Sequence, residues 1–162
     1  RHGTEGLAAE VHVGARRDDA GSAVGQQGED LHHRLVQELD LTRYYIFAGF
    51  HEGIEDLYRL MDCFVLSSRY EALGTSVLDA FLYSVPVIAT RTGGLMESLA
   101  DGRGILVDVG DHEALTAAMD ALLSDDELRA DMVQKAREYV VHEHDAAIMA
   151  QRYIAAYSTL GG

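Results

Sequence analysis

Apolar residues along this chain fall into two kinds of pattern. Short apolar runs, typical of strands buried in a sheet, are separated by stretches in which apolar residues recur every three or four positions, the spacing of an amphipathic helix. The runs predict strands over residues 45–48, 63–66, 85–89 and 105–107, and the alternation of apolar and polar residues predicts another over residues 9–14. The periodic stretches predict helices over residues 29–39, 54–61, 77–82, 95–99, 115–122, 128–139 and 149–160.

The alternation of strands and helices predicts the fold class, because parallel strands must be joined by crossover connections that are usually helical. We expect an α/β fold: a doubly wound, Rossmann-like parallel sheet with helices on both faces and a helical C-terminal end. The capping-box spacing of Ser124 and Glu127 predicts the start of the helix that follows them. Residues 15–27 are small or polar without a period and are predicted to form an exposed loop. The whole chain, residues 1–162, has the length of a single domain.

Charge and cysteine content narrow the range of partners and compartments. The chain carries 27 acidic and 13 basic residues, a formal net charge of −14. Such a field repels polyphosphate backbones, so we expect no nucleic-acid partner. The single cysteine, Cys63, cannot form an internal disulfide, which fits a reducing compartment, and we expect a cytoplasmic protein. No apolar run approaches the roughly 20 residues of a transmembrane segment.

The segment 67–76, directly after an apolar run, carries the candidate chemistry. Ligands of open α/β sheets bind beyond the carboxyl ends of the strands. Gly74 would allow the backbone to approach a ligand closely. The N–H groups of a helix that begins near Thr75 and Ser76 would face an anion, and the helix dipole would favour its negative charge.

Two carboxylates accompany this helix start. Glu71 lies in the loop, and Asp79 lies four positions after Thr75, on the same face of the predicted helix. Because the neighbours of Asp79 are apolar, its carboxylate is costly unless it meets a partner or a ligand hydroxyl. Each acid also has a plainer interpretation: Asp79 complements the dipole of its helix, and Glu71 is a surface loop acid. Spacing alone leaves both interpretations open.

Histidines offer one further candidate and no metal site. His51 follows a predicted strand at its carboxyl end and is a candidate for lining a nucleotide-base pocket, with a plain loop residue as the alternative. The pairs His32 with His33 and His142 with His144 are one or two positions apart, so on a helix they diverge rather than converge on an ion. No metal site is predicted.

The order of residues from Ser67 to Glu97 carries a family resemblance. The run at 63–66 is followed by Glu71, by Gly74 three positions later and by Asp79 after seven intervening residues. A proline-led strand and a Gly-Gly pair come next. This order resembles the donor-binding, C-terminal domain of GT-B-fold, family 4-type retaining glycosyltransferases (glycosyl transferases group 1), in which the second acid is a glutamate.

The resemblance implies a role for each matched residue. Glu71 would contact the donor sugar as the catalytic residue, Asp79 would bind the ribose hydroxyls, and N–H groups of Gly74, Thr75 and Ser76 would face the sugar and diphosphate. The implied function is to bind a nucleotide-sugar donor for retaining, hexosyltransferase-type transfer to a carbohydrate or lipid-linked acceptor. No metal or cofactor is implied, because helix ends and basic side chains stabilise the leaving diphosphate in such enzymes.

Two parts of the family pattern have no match in this chain. One is a basic pair on the diphosphate. Arg16 and Arg17 are candidate substitutes, but exposed loop arginines are the default interpretation of both. The other is the N-terminal domain that binds the acceptor. The chain, which begins at Arg1, is therefore expected to be a fragment of a longer two-domain glycosyltransferase and to be inactive by itself. The alternatives are a non-catalytic nucleotide- or interaction-binding module on the same scaffold, and a sugar-nucleotide epimerase or phosphorylase.

Overall fold

A computed structural model describes residues 23–48, 51 and 53–160 of the chain. These residues belong to two units that divide between Met61 and Asp62. The first unit contains the helices α1 (Ala23–Glu38) and α2 (Ile54–Tyr58). The second unit contains β1 (Phe64–Leu66), α3 (Thr75–Leu82), β2 (Val87–Thr90), α4 (Leu95–Ser98), a 3-10 turn (Ala100–Gly102), β3 (Ile105–Val107), α5 (His112–Ser124), α6 (Asp126–Glu143) and α7 (Ala146–Leu160).

The second unit is built on a parallel sheet with strand order β1-β2-β3. Val65 lies opposite Ile88 across the first pair of strands, and Ile88 lies opposite Ile105 across the second. β2 is therefore the central strand of the described sheet, and all four of its residues are buried. Because β1, β2 and β3 are parallel, their carboxyl ends lie at one edge of the sheet.

Helices cover both faces of this sheet. Ile88 packs in a core cluster with Ala118 and Leu122 of α5 and Met132 of α6. Side chains alternate along a strand, so Val87 and its neighbour Ala89 point to the opposite face. That face is covered by α3, which contacts β1 and β2. The predicted class, a doubly wound parallel α/β fold with a helical C-terminal end, is confirmed.

Helix α6 fastens the helical end to the rest of the second unit. Its N-cap is Asp125, whose carboxylate accepts the N–H of Leu128 at 2.9 Å. The predicted capping box of Ser124 and Glu127 is wrong in this detail, because Ser124 is still the last residue of α5 and its hydroxyl donates to the Asp120 carbonyl. Further along α6, Arg137 donates to the Leu82 carbonyl at the end of α3, at 2.6 Å.

Arg103 joins the short helix α4 to α6. Its guanidinium donates to the Ser98 carbonyl at 2.8 Å and to the Glu97 carbonyl at 2.6 Å, the last carbonyls of α4. It also lies 4.1 Å from the ring centroid of Tyr139 on α6. A cation at a helix C-terminus satisfies orphan carbonyls and complements the dipole. Arg103 thereby fixes α4, which carries part of the site described below.

The predicted loop over 15–27 needs correction at its end. Helix α1 begins at Ala23, so residues 23–27 are helical, whereas residues 15–22 lie outside the described part of the chain. Alanine and glutamine are good helix formers, and they extend the helix upstream of the first recognisable apolar stripe. The strand predicted over 9–14 also lies outside the described residues.

The run over residues 45–48 does not form a strand. Its aromatic residues instead make a small local cluster: the Phe47 ring stacks on His33 of α1 with centroids 3.6 Å apart, and Tyr45 lies 4.7 Å from Phe47. Ile46 is 73% exposed. β-Propensity alone does not make a strand, because a strand needs a neighbour to pair with. In the described ranges no strand pairs with this run.

The length and apolarity of the helices bear on whether one of them could cross a membrane. Within residues 23–48, 51 and 53–160, none of them combines the length and the apolarity that crossing a bilayer demands.

Candidate functional site

The candidate site lies where the carboxyl ends of β1 and β2 meet. Two loops leave this edge, residues 67–74 after β1 and residues 91–94 after β2. Thr90, the last residue of β2, is 3% exposed, and its hydroxyl donates to the Ser68 carbonyl at 2.5 Å. This bond fixes the start of the first loop against the end of the central strand.

Further along, the first loop is attached to the second through two hydrogen bonds. The Glu71 N–H donates to Thr92 Oγ1 at 3.1 Å, and the Gly94 N–H donates to the Ala72 carbonyl at 3.2 Å. Both acceptors and both donors are part of short loops that the parallel pairing of β1 and β2 brings side by side. The backbone around Glu71 is therefore held from the neighbouring loop.

The Gly-Gly pair explains how closely the loops approach each other. A Cβ atom added to Gly93 would lie 1.7 Å from the Glu71 carbonyl oxygen, and one added to Gly94 would lie 2.4 Å from the Ala72 carbonyl oxygen. Gly93 also has φ +47°, a left-handed conformation that favours glycine. Any side chain at these two positions would displace the loop that carries Glu71.

Gly74 forms the junction between the first loop and α3. As the N-cap it has φ +67°, and a Cβ atom there would lie 2.5 Å from Cδ2 of Leu95, which is fully buried at the start of α4. Its N–H donates to Glu71 Oε1 at 3.2 Å. The carboxylate of Glu71 therefore lies directly at the N-terminus of α3, where the helix dipole favours negative charge.

Helix α3 presents the other candidate residues on its first turns. Thr75 and Asp79 are exposed, and Ser76 is half-buried. Their exposure contrasts with Val77 and Phe81, which are fully buried beneath them. The sequence prediction that Thr75 and Asp79 share one helix face is confirmed by this division of α3 into a buried and an exposed side.

A cationic side chain that the sequence interpretation did not single out lies at the same sheet edge. Arg91 directly follows β2, its N–H donates to the Val107 carbonyl at 2.8 Å, and its Nε lies 3.2 Å from the Asp108 carboxylate just after β3. Both side chains are more than half exposed, so this ion pair is weak and contributes little to stability. Arg16 and Arg17, the other proposed cations, lie outside the described residues.

The remaining sequence candidate for donor binding is His51. His51 is an exposed residue of the first unit, and its assignment to a base pocket stays a prediction. For metal binding, the described part of the chain brings together no group of three or more histidine, cysteine, aspartate or glutamate side chains.

Thr90 and Thr92 are the residues that sequence reasoning missed. Each bonds to a residue more than twenty positions earlier in the chain, Ser68 and Glu71. A threonine at the end of a buried strand and another before a Gly-Gly pair are the local signals that could have drawn attention to them. Their partners depend on the pairing of the strands, which the local pattern does not contain.

Comparison with known proteins shows the family of this chain. The sequence pattern described as "Glycosyl transferases group 1" matches residues 20–139. Among curated proteins, the chain is 28% identical over 131 residues to the lipopolysaccharide core biosynthesis glycosyltransferase LpsE of Rhizobium meliloti (strain 1021), covering 80% of this chain and 38% of LpsE. The chain spans between 26% and 38% of the length of the first curated relatives that it matches.

Solved structures show the same fold. The crystal structure of HepE from Anabaena in complex with UDP has a TM-score of 0.80 and 24% identity, covering 85% of this chain and 38% of HepE. The C-terminal domain of a glycosyl transferase group 1 family protein, LpcC from Francisella tularensis, has a TM-score of 0.69 and 26% identity, covering 77% of this chain and 66% of that domain structure. From the matched pattern and these likenesses, we conclude that this chain belongs to the glycosyl transferases group 1 family.

Proposed function

We propose that this chain binds a nucleotide-sugar donor at the edge formed by the loops 67–74 and 91–94, as the donor-binding part of a retaining glycosyltransferase. The observation that carries the proposal is the placement of Glu71: its backbone is tied to Thr92, and its carboxylate lies at the N-terminus of α3, bonded to the Gly74 N–H. In a member of this family, the carboxylate can accept hydrogen bonds from a sugar hydroxyl, and the N–H groups at the start of the helix can donate to an oxyanion.

The division of labour follows from the chemistry of each group. The Glu71 carboxylate can accept hydrogen bonds from sugar hydroxyls, so it is the group proposed to contact the transferred sugar and to act in catalysis. The exposed carboxylate of Asp79 can accept bonds from the two vicinal hydroxyls of a ribose. Between them, the first turn of α3 at Thr75 and Ser76 offers backbone N–H groups and a favourable dipole to a diphosphate.

Further support comes from the proteins that share the fold and family. HepE was crystallised with UDP, the diphosphate part of a donor, although its low identity to this chain argues for the fold alone. LpsE is described as a glycosyltransferase and is more than twice as long as the segment matched here. We therefore propose that the acceptor is held by residues outside these 162, and that this chain alone binds donor without transferring the sugar.

The proposal is tested by measuring the melting temperature of the chain with UDP-, GDP- and ADP-sugars. A ligand that binds the folded chain raises the melting temperature by mass action, so at least one of these donors should do so while donor consumption stays at background. Asp79→Ala should weaken the affinity by about 1–3 kcal/mol, the range for a hydrogen bond to a charged group, and Asp79→Glu should retain it.

The matched control is Asp120→Ala, which removes an exposed carboxylate from α5. It should leave the donor affinity unchanged. If no donor raises the melting temperature, or if Asp79→Ala and Asp120→Ala bind equally well, the site is not the one proposed.

A further inference from the structure

We propose that Thr92 is a positioning residue for Glu71: its hydroxyl oxygen holds the Glu71 backbone in the place from which the carboxylate reaches the donor sugar. This inference rests on the proposed function, because it assumes that Glu71 contacts the sugar. It adds a residue from a different loop, whose hydroxyl accepts the backbone N–H of Glu71.

Thr92 is itself held rigidly by the elements on either side of it. Its N–H donates to the Thr90 carbonyl at the end of β2 at 2.8 Å, and its carbonyl accepts the N–H of Leu95, the first residue of α4, at 3.1 Å. Thr90 and Leu95 are both buried. The hydroxyl of Thr92 is therefore presented to the first loop from a fixed point on the core of the second unit.

Residues of the second loop lie against both the N–H and the carbonyl of Glu71. Thr92 Oγ1 accepts the Glu71 N–H, and Gly93 lies against the Glu71 carbonyl so closely that a Cβ atom would come within 1.7 Å. The Glu71 N–H is thus held by a hydrogen bond, its carbonyl packs closely against the Gly93 backbone, and its carboxylate accepts the Gly74 N–H. Preorganised placement of this kind is what makes a polar group effective towards a reacting sugar.

Among these contacts, the hydroxyl of Thr92 is the one that a side-chain substitution removes without crowding. Thr92→Val keeps the shape but leaves the partly buried Glu71 N–H without its acceptor, whereas Thr92→Ser keeps the oxygen. Loss of one acceptor for a buried donor should reduce kcat/KM for the donor sugar by about tenfold. Affinity for the bare nucleoside diphosphate should stay within about twofold, because Glu71 is assigned to the sugar.

The experiment uses the full-length enzyme, with kcat/KM for the sugar donor and calorimetry of the free nucleoside diphosphate as readouts. Thr92→Val should lower the first and spare the second, and Thr92→Ser should restore kcat/KM to within about threefold of the wild type. Thr116→Val is the matched control, since that hydroxyl bonds to the His112 carbonyl of its own helix, and it should change neither readout.

Two further variants make the inference decidable. In a Glu71→Gln background, Thr92→Val should cause no additional loss, because a positioning residue acts through the group it positions. Thr92→Ala, which removes the same hydroxyl acceptor and adds no atoms, should give the same selective loss and replaces Thr92→Val if that variant fails to fold.

The overturning results are distinct from one another. An additive loss in the Glu71→Gln background, an equal loss of diphosphate affinity, or full activity of Thr92→Val would each show that Thr92 does not act through Glu71. Full activity of Glu71→Gln itself would overturn the proposed function, whatever Thr92 does.

Discussion

Glu71 makes one hydrogen bond through its backbone and another through its side chain. Its N–H is bound by Thr92 on the neighbouring loop, and its carboxylate accepts the N–H of Gly74 three positions on. The second bond occupies an N–H group that the family resemblance assigned to the donor sugar and diphosphate. A donor group that is to accept the Gly74 N–H must therefore share it with the Glu71 carboxylate or displace that carboxylate.

At this scale we expect Glu71→Gln, tested in the full-length enzyme, to lower kcat/KM for sugar transfer by at least about 100-fold. The glutamine keeps the shape of the side chain and can still accept the Gly74 N–H, but it lacks the negative charge that strengthens bonds to the sugar. Kinetics of donor consumption measure the loss. Calorimetry with the free nucleoside diphosphate is the control and should give wild-type affinity, whereas a fully active variant would exclude Glu71 from the site.

Among the elements, the starts of α5 and α6 are capped in the same way. Asp111 accepts the Ala114 N–H and Asp125 accepts the Leu128 N–H, each at 2.9 Å. An aspartate at the N-cap satisfies one of the orphan N–H groups of the first turn. Because α6 contributes Met132 to the core cluster, a defect at its start affects the packing of the sheet.

Asp125→Ala is expected to lower the free energy of unfolding by about 1 kcal/mol, the usual cost of losing an N-cap. Urea denaturation of the wild type and the variant measures it. Glu127→Ala is the matched control, since the structure gives the cap to Asp125 and not to a capping box, and it should cost clearly less. Equal losses in the two variants would favour the capping box that the sequence pattern suggested.

The sequence predicts the elements of the second unit well, and the reasons for its errors are physical. The buried run at β2 forms the central strand of a covered sheet, whereas the run at 45–48 has a similar strand propensity without a described partner strand. Ser124 fits a capping pattern, yet α5 continues through it. The spacing of Ser124 and Glu127 does not indicate that the preceding helix, α5, continues to Ser124.

In the candidate site, the residues of the first loop and α3 could be predicted from the sequence. The threonines at the end of β2 and in the second loop, which hold the first loop in place, could not. Glu71, Gly74 and Asp79 lie within nine consecutive positions, so their spacing is legible in the sequence. Thr92 reaches Glu71 only because β1 and β2 pair in one particular register. Contacts of this type follow from the assembled sheet.

For the whole molecule, the balance of charge matters most for how a diphosphate could bind. The chain has a net charge of −14, and the described site offers α3's N-terminus together with exposed cations such as Arg69 and Arg91. Among the residues that the structure describes, no group of three or more histidine, cysteine, aspartate or glutamate side chains comes together to bind a metal ion.

We accordingly expect donor binding to be independent of divalent cations. Titration of the donor by calorimetry should give the same affinity in EDTA as in Mg²⁺ or Mn²⁺, because helix ends and cationic side chains would carry the diphosphate charge. A buffer with matched ionic strength controls for general screening of the acidic chain. Binding that disappears in EDTA and returns with Mg²⁺ would contradict this expectation.

The close contact of Gly93 and Gly94 with the backbone of Glu71 and Ala72 also limits which changes of this site could alter its proposed donor specificity. Inserting or deleting a residue in either loop would shift the carbonyls of Glu71 and Ala72 against backbone that has no room to accept them. Loop length is therefore a poor route to a new specificity. Tyr70 and Leu73 flank Glu71 and Ala72 in the first loop, and their side chains are 93% and 54% exposed. Libraries aimed at a different sugar should vary those two side chains and keep the length of both loops constant.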